Sequence, residues 1–227
     1  MKHNAGNPFG DPSSQVLRWP TQRSREWVSA LLDSARANEG ILAVLAIGSA
    51  VRPNVCSTDL DLLVVSADAK PLHISPPIEV DLRVYPAAVM DAQLASGHDL
   101  LGWAVKFGRA LFQRDRYWDG ITDSWRHRLP LPSAALARER AAAAQKRLVK
   151  VLEFGDTDAA HEQAVSYLTH LARAALLDRG IYPASRPELP SQLRACGRDQ
   201  IADQIDRLLH DDRAGDKRID QILKLSA

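Results

Sequence analysis

The chain has 227 residues, enough for one large domain or two small ones, with 29 basic and 28 acidic residues and an ordinary 45% hydrophobic content. That balance excludes the global basic excess of a general nucleic-acid binder, so no general nucleic-acid binding is expected. No apolar run approaches the ~20 residues of a membrane span, no signal-peptide core is present, and Cys56 and Cys196 match no metal spacing, so the expectation is a cytoplasmic protein with reduced thiols and no membrane contact.

Residues 1–20 are rich in Asn, Gly, Pro and Ser and read as a poorly ordered N-terminal tail, with Val16, Leu17 and Trp19 docking on the adjoining domain. Thr21 is a plausible N-cap for a helix running to about Asn38, with Trp27, Val28, Leu31, Leu32 and Ala35 on its apolar face and Gly40 ending it. The apolar run Ile41 to Ile47 predicts a strand. Gly48-Ser49 comes next, then a loop, then a second strand from Asp59 to Ser66. Residues 67–77 turn the chain, and Pro76-Pro77 lead into an alternating strand, Ile78 to Tyr85.

The acids on these strands carry the chemistry. Side chains alternate faces along a strand, so Asp59 and Asp61 point the same way, about 6.5–7 Å apart at the Cα level. Two acids on one face repel unless something positive lies between them, and carboxylate oxygens favour Mg²⁺ or Mn²⁺. On the third strand Val80, Leu82 and Val84 form one face and Glu79, Asp81 and Arg83 the other. If this strand pairs beside the second, Asp81 completes a three-carboxylate site. Such a site holds two Mg²⁺ ions about 3.5–4 Å apart, the clamp used for in-line phosphoryl displacement. Gly48 lets backbone approach a triphosphate, and Ser49 supplies a donor to phosphate oxygens. Glu79 is a fallback third carboxylate. The competing reading is a surface hairpin with solvated acids. Against it, Leu62 to Val65 reads as a buried strand with its acids at the mouth.

Gly48-Ser49, a spacer of nine residues, Asp59-Leu60-Asp61, and Asp81 on a following strand resemble the nucleotidyltransferase superfamily that includes DNA polymerase beta. The layout is similar to two groups of small bacterial members: aminoglycoside (kanamycin-type) nucleotidyltransferases and the minimal nucleotidyltransferases of toxin–antitoxin pairs. The motif proper spans residues 47–84. The resemblance implies that Gly48 and Ser49 bind the nucleotide phosphates and that Asp59, Asp61 and Asp81 are the catalytic, metal-binding acids. One departure is that Arg52 is followed by Pro53 where family loops commonly carry a glycine, which bears on the loop conformation. Arg52 is a further phosphate candidate. Arg83 shares the Asp81 face and is placed to neutralise it.

Beyond the third strand, Pro86 opens a helix from Ala87 to Ala95. Residues 99–108 read as a short helix and Arg109 to Gln113 as a strand, with Arg114-Asp115 turning out of it. Trp103, Phe107, Tyr117, Trp118 and Trp125 serve either to stack on a base or, the commoner use, to fill a core. Leu129-Pro-Leu-Pro-Ser133 is the best boundary, because alternate prolines stiffen an extended link and Ser133 can cap the helix beyond it. Residues 21–130 are thus read as the nucleotidyltransferase catalytic domain and 131–227 as a C-terminal, acceptor-binding helical bundle. In it, a long helix from Ala134 to about Phe154 carries Ala137, Ala141, Ala144, Leu148, Val151 and Leu152 on one stripe. A second, from Asp158 to Asp178, turns Ala164, Leu168, Leu171, Ala175 and Leu176 inward. Two or three shorter helices fill Glu188 to Leu225. The fold expected is α+β: a mixed-sheet nucleotidyltransferase domain followed by an all-α bundle. The bundle resembles that of the kanamycin-type enzymes over Tyr167 to Leu193, on weaker motifs.

The reading implied is Mg²⁺-dependent transfer of a nucleoside monophosphate, AMP from ATP in the first instance, to an acceptor hydroxyl, with release of pyrophosphate. In the kanamycin-type relatives a glutamate of the helical domain is the general base; Glu153 and Glu162 are the candidates, although a solvated helix face is the commoner use of such residues. Lys146 and Lys150, one turn apart, reach for triphosphate or are ordinary exposed lysines. The acceptor is a small molecule such as an aminoglycoside, although the helical half lacks a conspicuously acidic cleft. The alternatives are an antitoxin-like transferase adding AMP to a partner protein and a non-catalytic nucleotide-binding regulatory module. The helical half is long enough to support a homodimer.

Overall fold

The computed structural model describes residues 12–53, 55, 57–68, 75–210 and 222–223. The chain is α+β, a mixed four-stranded sheet with helices followed by a helical region. The described residues up to Pro130 form one compact unit, and those from Leu131 onward form a second.

In the first unit, helix α1 (Gln22–Ala37) begins on a reciprocal cap. The Thr21 hydroxyl accepts from the Ser24 N–H at 3.0 Å, and the Ser24 hydroxyl accepts from the Thr21 N–H at 3.2 Å. Val28, Leu31, Leu32 and Ala35 recur at helical spacing and are buried. The helix stops at Ala37, before Gly40. The Arg114 guanidinium reaches the carbonyls of Ala35 (3.0 Å), Asn38 (3.2 Å) and Ile41 (3.3 Å), so a charged side chain satisfies acceptors that the helix end leaves over.

Strands β1 (Ile41–Ile47), β2 (Leu60–Ser66), β3 (Val80–Pro86) and β4 (Arg109–Gln113) lie in the order β3-β2-β1-β4. β1 is antiparallel to both β2 and β4, while β2 and β3 are parallel. The two central strands are apolar on both faces, and Leu60 and Leu62 to Val65 are fully buried. Parallel neighbours need a crossover. Its described end is anchored to α1: the Trp27 indole N–H donates to the Ser75 carbonyl at 3.0 Å, and the Thr21 hydroxyl donates to Glu79. Residues 69–74 lie outside the described residues.

Helices α2 (Met90–Ala95) and α3 (Asp99–Phe107) fall where the sequence places them. Helix α4 (Tyr117–Trp125) does not; the sequence reading turns the chain at Arg114-Asp115 and assigns no element to the residues beyond it. Asp115 and Arg116 take left-handed backbone (φ 48° and 58°), a tight reversal after which the chain turns at once into helix. Trp103, Trp118 and Trp125 are buried, which assigns them to packing, whereas Phe107 and Tyr117 are half-buried.

The second unit is helical. Ser133 caps α5 (Ala134–Glu153) and Asp156 caps α6 (Thr157–Leu177). Ala141, Ala144 and Leu148 of α5 pack into one core with Ala160, Ala164, Leu168, Leu171 and Ala175 of α6. Small residues on both sides let the helices approach closely. α7 (Leu189–Ala195) and α8 (Asp199–His210) close that core with Leu193, Ile201 and Ile205. Ile222 is buried against it, and the rest of the expected last helix lies outside the described residues. Among the described residues no helix is long and apolar enough to cross a membrane.

Candidate active site

The sheet register brings two of the three acids side by side. Asp61 stands opposite Ile47 on β1 and opposite Asp81 on β3. Neighbouring strands lie about 4.8 Å apart, and paired residues share a face, so both carboxylates project from one face at one end of the sheet. Asp59 lies just before β2, which begins at Leu60, and is exposed. Asp61 is half-buried and Asp81 exposed. The acids sit where β2 leaves the core, because nothing deeper on that strand meets water.

Gly48 closes the site from the β1 side. Its backbone has φ 73° and ψ −156°, a conformation that is essentially glycine's alone. A Cβ on Gly48 would lie 2.2 Å from Asp61 Oδ2. The loop is held at several points. The Ser49 and Ser57 hydroxyls are 2.8 Å apart, and the Ser57 hydroxyl donates to the Asp59 carbonyl at 2.6 Å, so Ser57 links the two ends of the spacer. Arg52 N–H donates to the Ser49 carbonyl at 3.0 Å, closing a single 3-10 turn over Ser49–Val51. The Leu17 N–H donates to the Ala50 carbonyl at 3.0 Å, and Val16 is buried. The segment before α1 thus braces the loop. Arg52 is extended (φ −100°, ψ 134°), the conformation that a following proline imposes, so Pro53 shapes the loop exit. Cys56 lies outside the described residues.

The charges around the acids are specific. Arg83 donates to Asp81 Oδ2 from Nη2 at 2.7 Å and from Nε at 3.2 Å. The guanidinium is held further toward its charged form than an ordinary arginine, first by this hydrogen bond, then by the charges of Asp81, Tyr85 and Asp61, with slight burial opposing. Both side chains are about half exposed, at 55% and 49%, so water competes with the pair and its net worth is at most ~1 kcal/mol. Glu79 is engaged at the start of α1. The Thr21 hydroxyl donates to it, and that bond holds its carboxyl below the usual range. Arg52 stacks on Phe107 with its guanidinium carbon 4.7 Å from the ring centre, and Lys106 Nζ stands 5.7 Å from the same centre. Arg109 is opposite Ala46, one residue out of step with Ile47 and Asp61, and so belongs to the other face. Among the described residues, no group of three or more His, Cys, Asp or Glu side chains is placed to hold a metal ion.

The candidates of the helical half, Lys146, Lys150 and Glu153 on α5 and Glu162 on α6, are all exposed. Two elements of the site escape sequence reasoning: the Ser57 bridge and Lys106 of α3 beside Phe107. A serine two residues before an acid is a recognisable turn former, so the first carried a signal. The second depends on residues distant from the loop in the chain, and no local pattern announces it; the docking expected around Leu17 takes the form of its bond to Ala50.

No protein-family model matches the chain, and no curated protein matches it. Among solved structures it is similar to a nucleotidyltransferase-like protein from Exiguobacterium sibiricum, with 18% identity over 87% of this chain and 71% of that one and a TM-score of 0.43.

Proposed function

We propose that the chain is a Mg²⁺-dependent nucleotidyltransferase that moves a nucleoside monophosphate, AMP from ATP in the first instance, to a hydroxyl of a small-molecule acceptor and releases pyrophosphate. The observation that carries this reading is the pairing of Asp61 with Asp81 across parallel strands, with Gly48 backbone against the Asp61 carboxylate. The donor set suits a hard divalent cation in kind: carboxylate oxygens only, two from adjacent strands on one face and a third, Asp59, at the mouth of β2. Asp59, Asp61 and Asp81 are the residues that would hold it. When bound there, Mg²⁺ supplies neutralisation of the triphosphate and a lowered pKa for the attacking hydroxyl.

The chain's own residues do the positioning. Gly48 presents backbone without a side chain, so the triphosphate can lie close to the loop. Ser49 donates its N–H to phosphate oxygens while its hydroxyl, held on Ser57, keeps the turn in place. Arg52, carried on Phe107, adds positive charge beside Ser49. The rate enhancement rests on orientation and on fixed charge, not on a covalent intermediate. Residues 21–130 are the catalytic domain on this reading. Residues 131–227 bind the acceptor, with Glu153 or Glu162 as general base and Lys146 and Lys150 as triphosphate contacts.

The test is pyrophosphate release with Mg²⁺ and each of the four NTPs, against a panel of hydroxyl-bearing acceptors. Release that requires one acceptor and vanishes in Asp59→Asn and Asp61→Asn variants is the expected result. Unchanged release in either variant sinks the scheme. Nucleotide binding without release against any small acceptor moves the weight to a partner protein as acceptor or to a regulatory role.

A further inference from the structure

The third acid is held by its own neighbour. Residues two apart on a strand share a face, so Arg83 stands beside Asp81 on β3 as Leu63 stands beside Asp61 on β2. The guanidinium folds back along the strand, and two of its N–H groups converge on one oxygen, Asp81 Oδ2. We propose that Arg83 is a built-in counter-ion of this acidic edge: it occupies the oxygen through which Asp81 would join Asp59 and Asp61 around a divalent cation, so that cation binding proceeds by exchange of guanidinium for metal and Arg83 sets the metal affinity. This rests on the reading of Asp59, Asp61 and Asp81 as the cation-holding acids.

Three features support exchange over a fixed structural pair. First, the pair is half exposed, so the released guanidinium passes into water and not into an apolar core. Second, Arg83 lies two residues from Asp81 on β3 and so on the face that carries the Asp61–Asp81 pair, the side from which a cation would approach. Third, β2 and β3 set Asp61 and Asp81 in register, so a guanidinium engaged on Asp81 occupies the oxygen that faces the pair. Arginine is the residue for this task, because its charge persists at every working pH and its planar fork places two donors on one carboxylate. Arg83 is therefore a positioning residue, acting through Asp81.

The experiment measures Mn²⁺ binding by the full chain, from the loss of the free-ion paramagnetic resonance signal, without nucleotide or turnover. Arg83→Gln should bind Mn²⁺ up to about fivefold tighter than the native chain, the most that release of a half-exposed pair worth no more than ~1 kcal/mol can supply. Arg83→Lys, a single point charge, should fall between. In Asp81→Asn/Arg83→Gln the gain should disappear. An Arg83→Gln affinity equal to or weaker than native, with Asp59→Asn/Asp61→Asn still abolishing binding, overturns the inference and leaves the functional reading standing. Mn²⁺ binding indifferent to Asp59→Asn/Asp61→Asn overturns both. Should Arg83→Gln prove poorly folded, Arg83→Lys alone carries the comparison, with native affinity as the overturning result.

Discussion

Gly48 and Asp61 are in contact through the absence of a side chain: one methyl on Gly48 would stand 2.2 Å from the Asp61 carboxylate oxygen. Two costs are combined at this position. The backbone conformation (φ 73°) excludes other residues at ~1–3 kcal/mol, and the carboxylate would have to turn away from its place opposite Asp81. Gly48→Ala should therefore lose stability by that amount and lose transfer activity by more than stability explains. The two costs separate in a double-mutant cycle. In an Asp61→Ala background the added methyl meets no carboxylate, and only the backbone cost is left. Equal destabilisation by Gly48→Ala in both backgrounds would show that the close approach has no energetic weight.

Ser57 joins the beginning of the loop to its end through one hydroxyl, with Ser49 on one side and the Asp59 carbonyl on the other. Its loss should cost about 1 kcal/mol of stability, the net worth of one partly buried hydrogen bond. The larger effect is expected on nucleotide binding, since Ser49 and Asp59 would no longer be held in fixed relation. Ser57→Ala should raise KM for the nucleotide several-fold with a smaller change in kcat. Steady-state kinetics at saturating acceptor reads this directly, and a pure kcat defect would place Ser57 at the reacting atoms instead.

The central features of the site are legible in the sequence because each rests on a local pattern. Period-two alternation marks β3 and puts Asp81 and Arg83 on one face, and the uninterrupted run Leu62 to Val65 marks a strand buried on both sides. The pattern places the start of β2 one residue early. Asp59 lies outside the ladder because the hydrogen bonding to the β3 side begins with Leu60, whose N–H donates to the Glu79 carbonyl at 2.8 Å. Helix α4 is not legible: Trp118 and Trp125 are spaced for a helix face, but a nine-residue helix offers too few repeats to stand out, and its start is set by left-handed Asp115 and Arg116, neither of them glycine. The Thr21 hydroxyl donates to the fallback acid, Glu79, and only the tertiary crossover brings those two residues together.

Arg114 tests how the end of α1 is secured. Its guanidinium serves four carbonyls, those of Ala35, Arg36, Asn38 and Ile41, and the side chain is half-buried, so truncation leaves several acceptors to find water. Arg114→Ala should cost ~1.5–3 kcal/mol, the range for hydrogen bonds from a charged group. Arg114→Lys should recover only part, because one ammonium cannot span the same acceptors. Chemical denaturation followed by circular dichroism measures both. Equal stability of the alanine variant and the native chain would mean that solvent satisfies those carbonyls without help.

Asp119 and Glu79 contribute to the acid side of the stability profile. The Asp119 carboxyl is held below its ordinary value first by the hydrogen bond from the Gln113 amide at 2.9 Å and then by Arg116, with burial opposing. Glu79 is depressed first by the Thr21 hydroxyl. A carboxylate with a depressed folded-state pKa contributes stability that is fully present above the unfolded value, about 3.9 for Asp and 4.3 for Glu, and is lost as pH falls through the folded value. The native chain should therefore lose stability on going from pH 6 to pH 3. Asp119→Asn should be less stable than native at pH 6 and less sensitive to acid, so the gap between them narrows at pH 3. Urea unfolding of both proteins at the two pH values decides it. A gap as wide at pH 3 as at pH 6 would mean that what Asp119 contributes is its hydrogen bonds to Gln113 irrespective of charge, and the acid limb would then belong to other carboxylates.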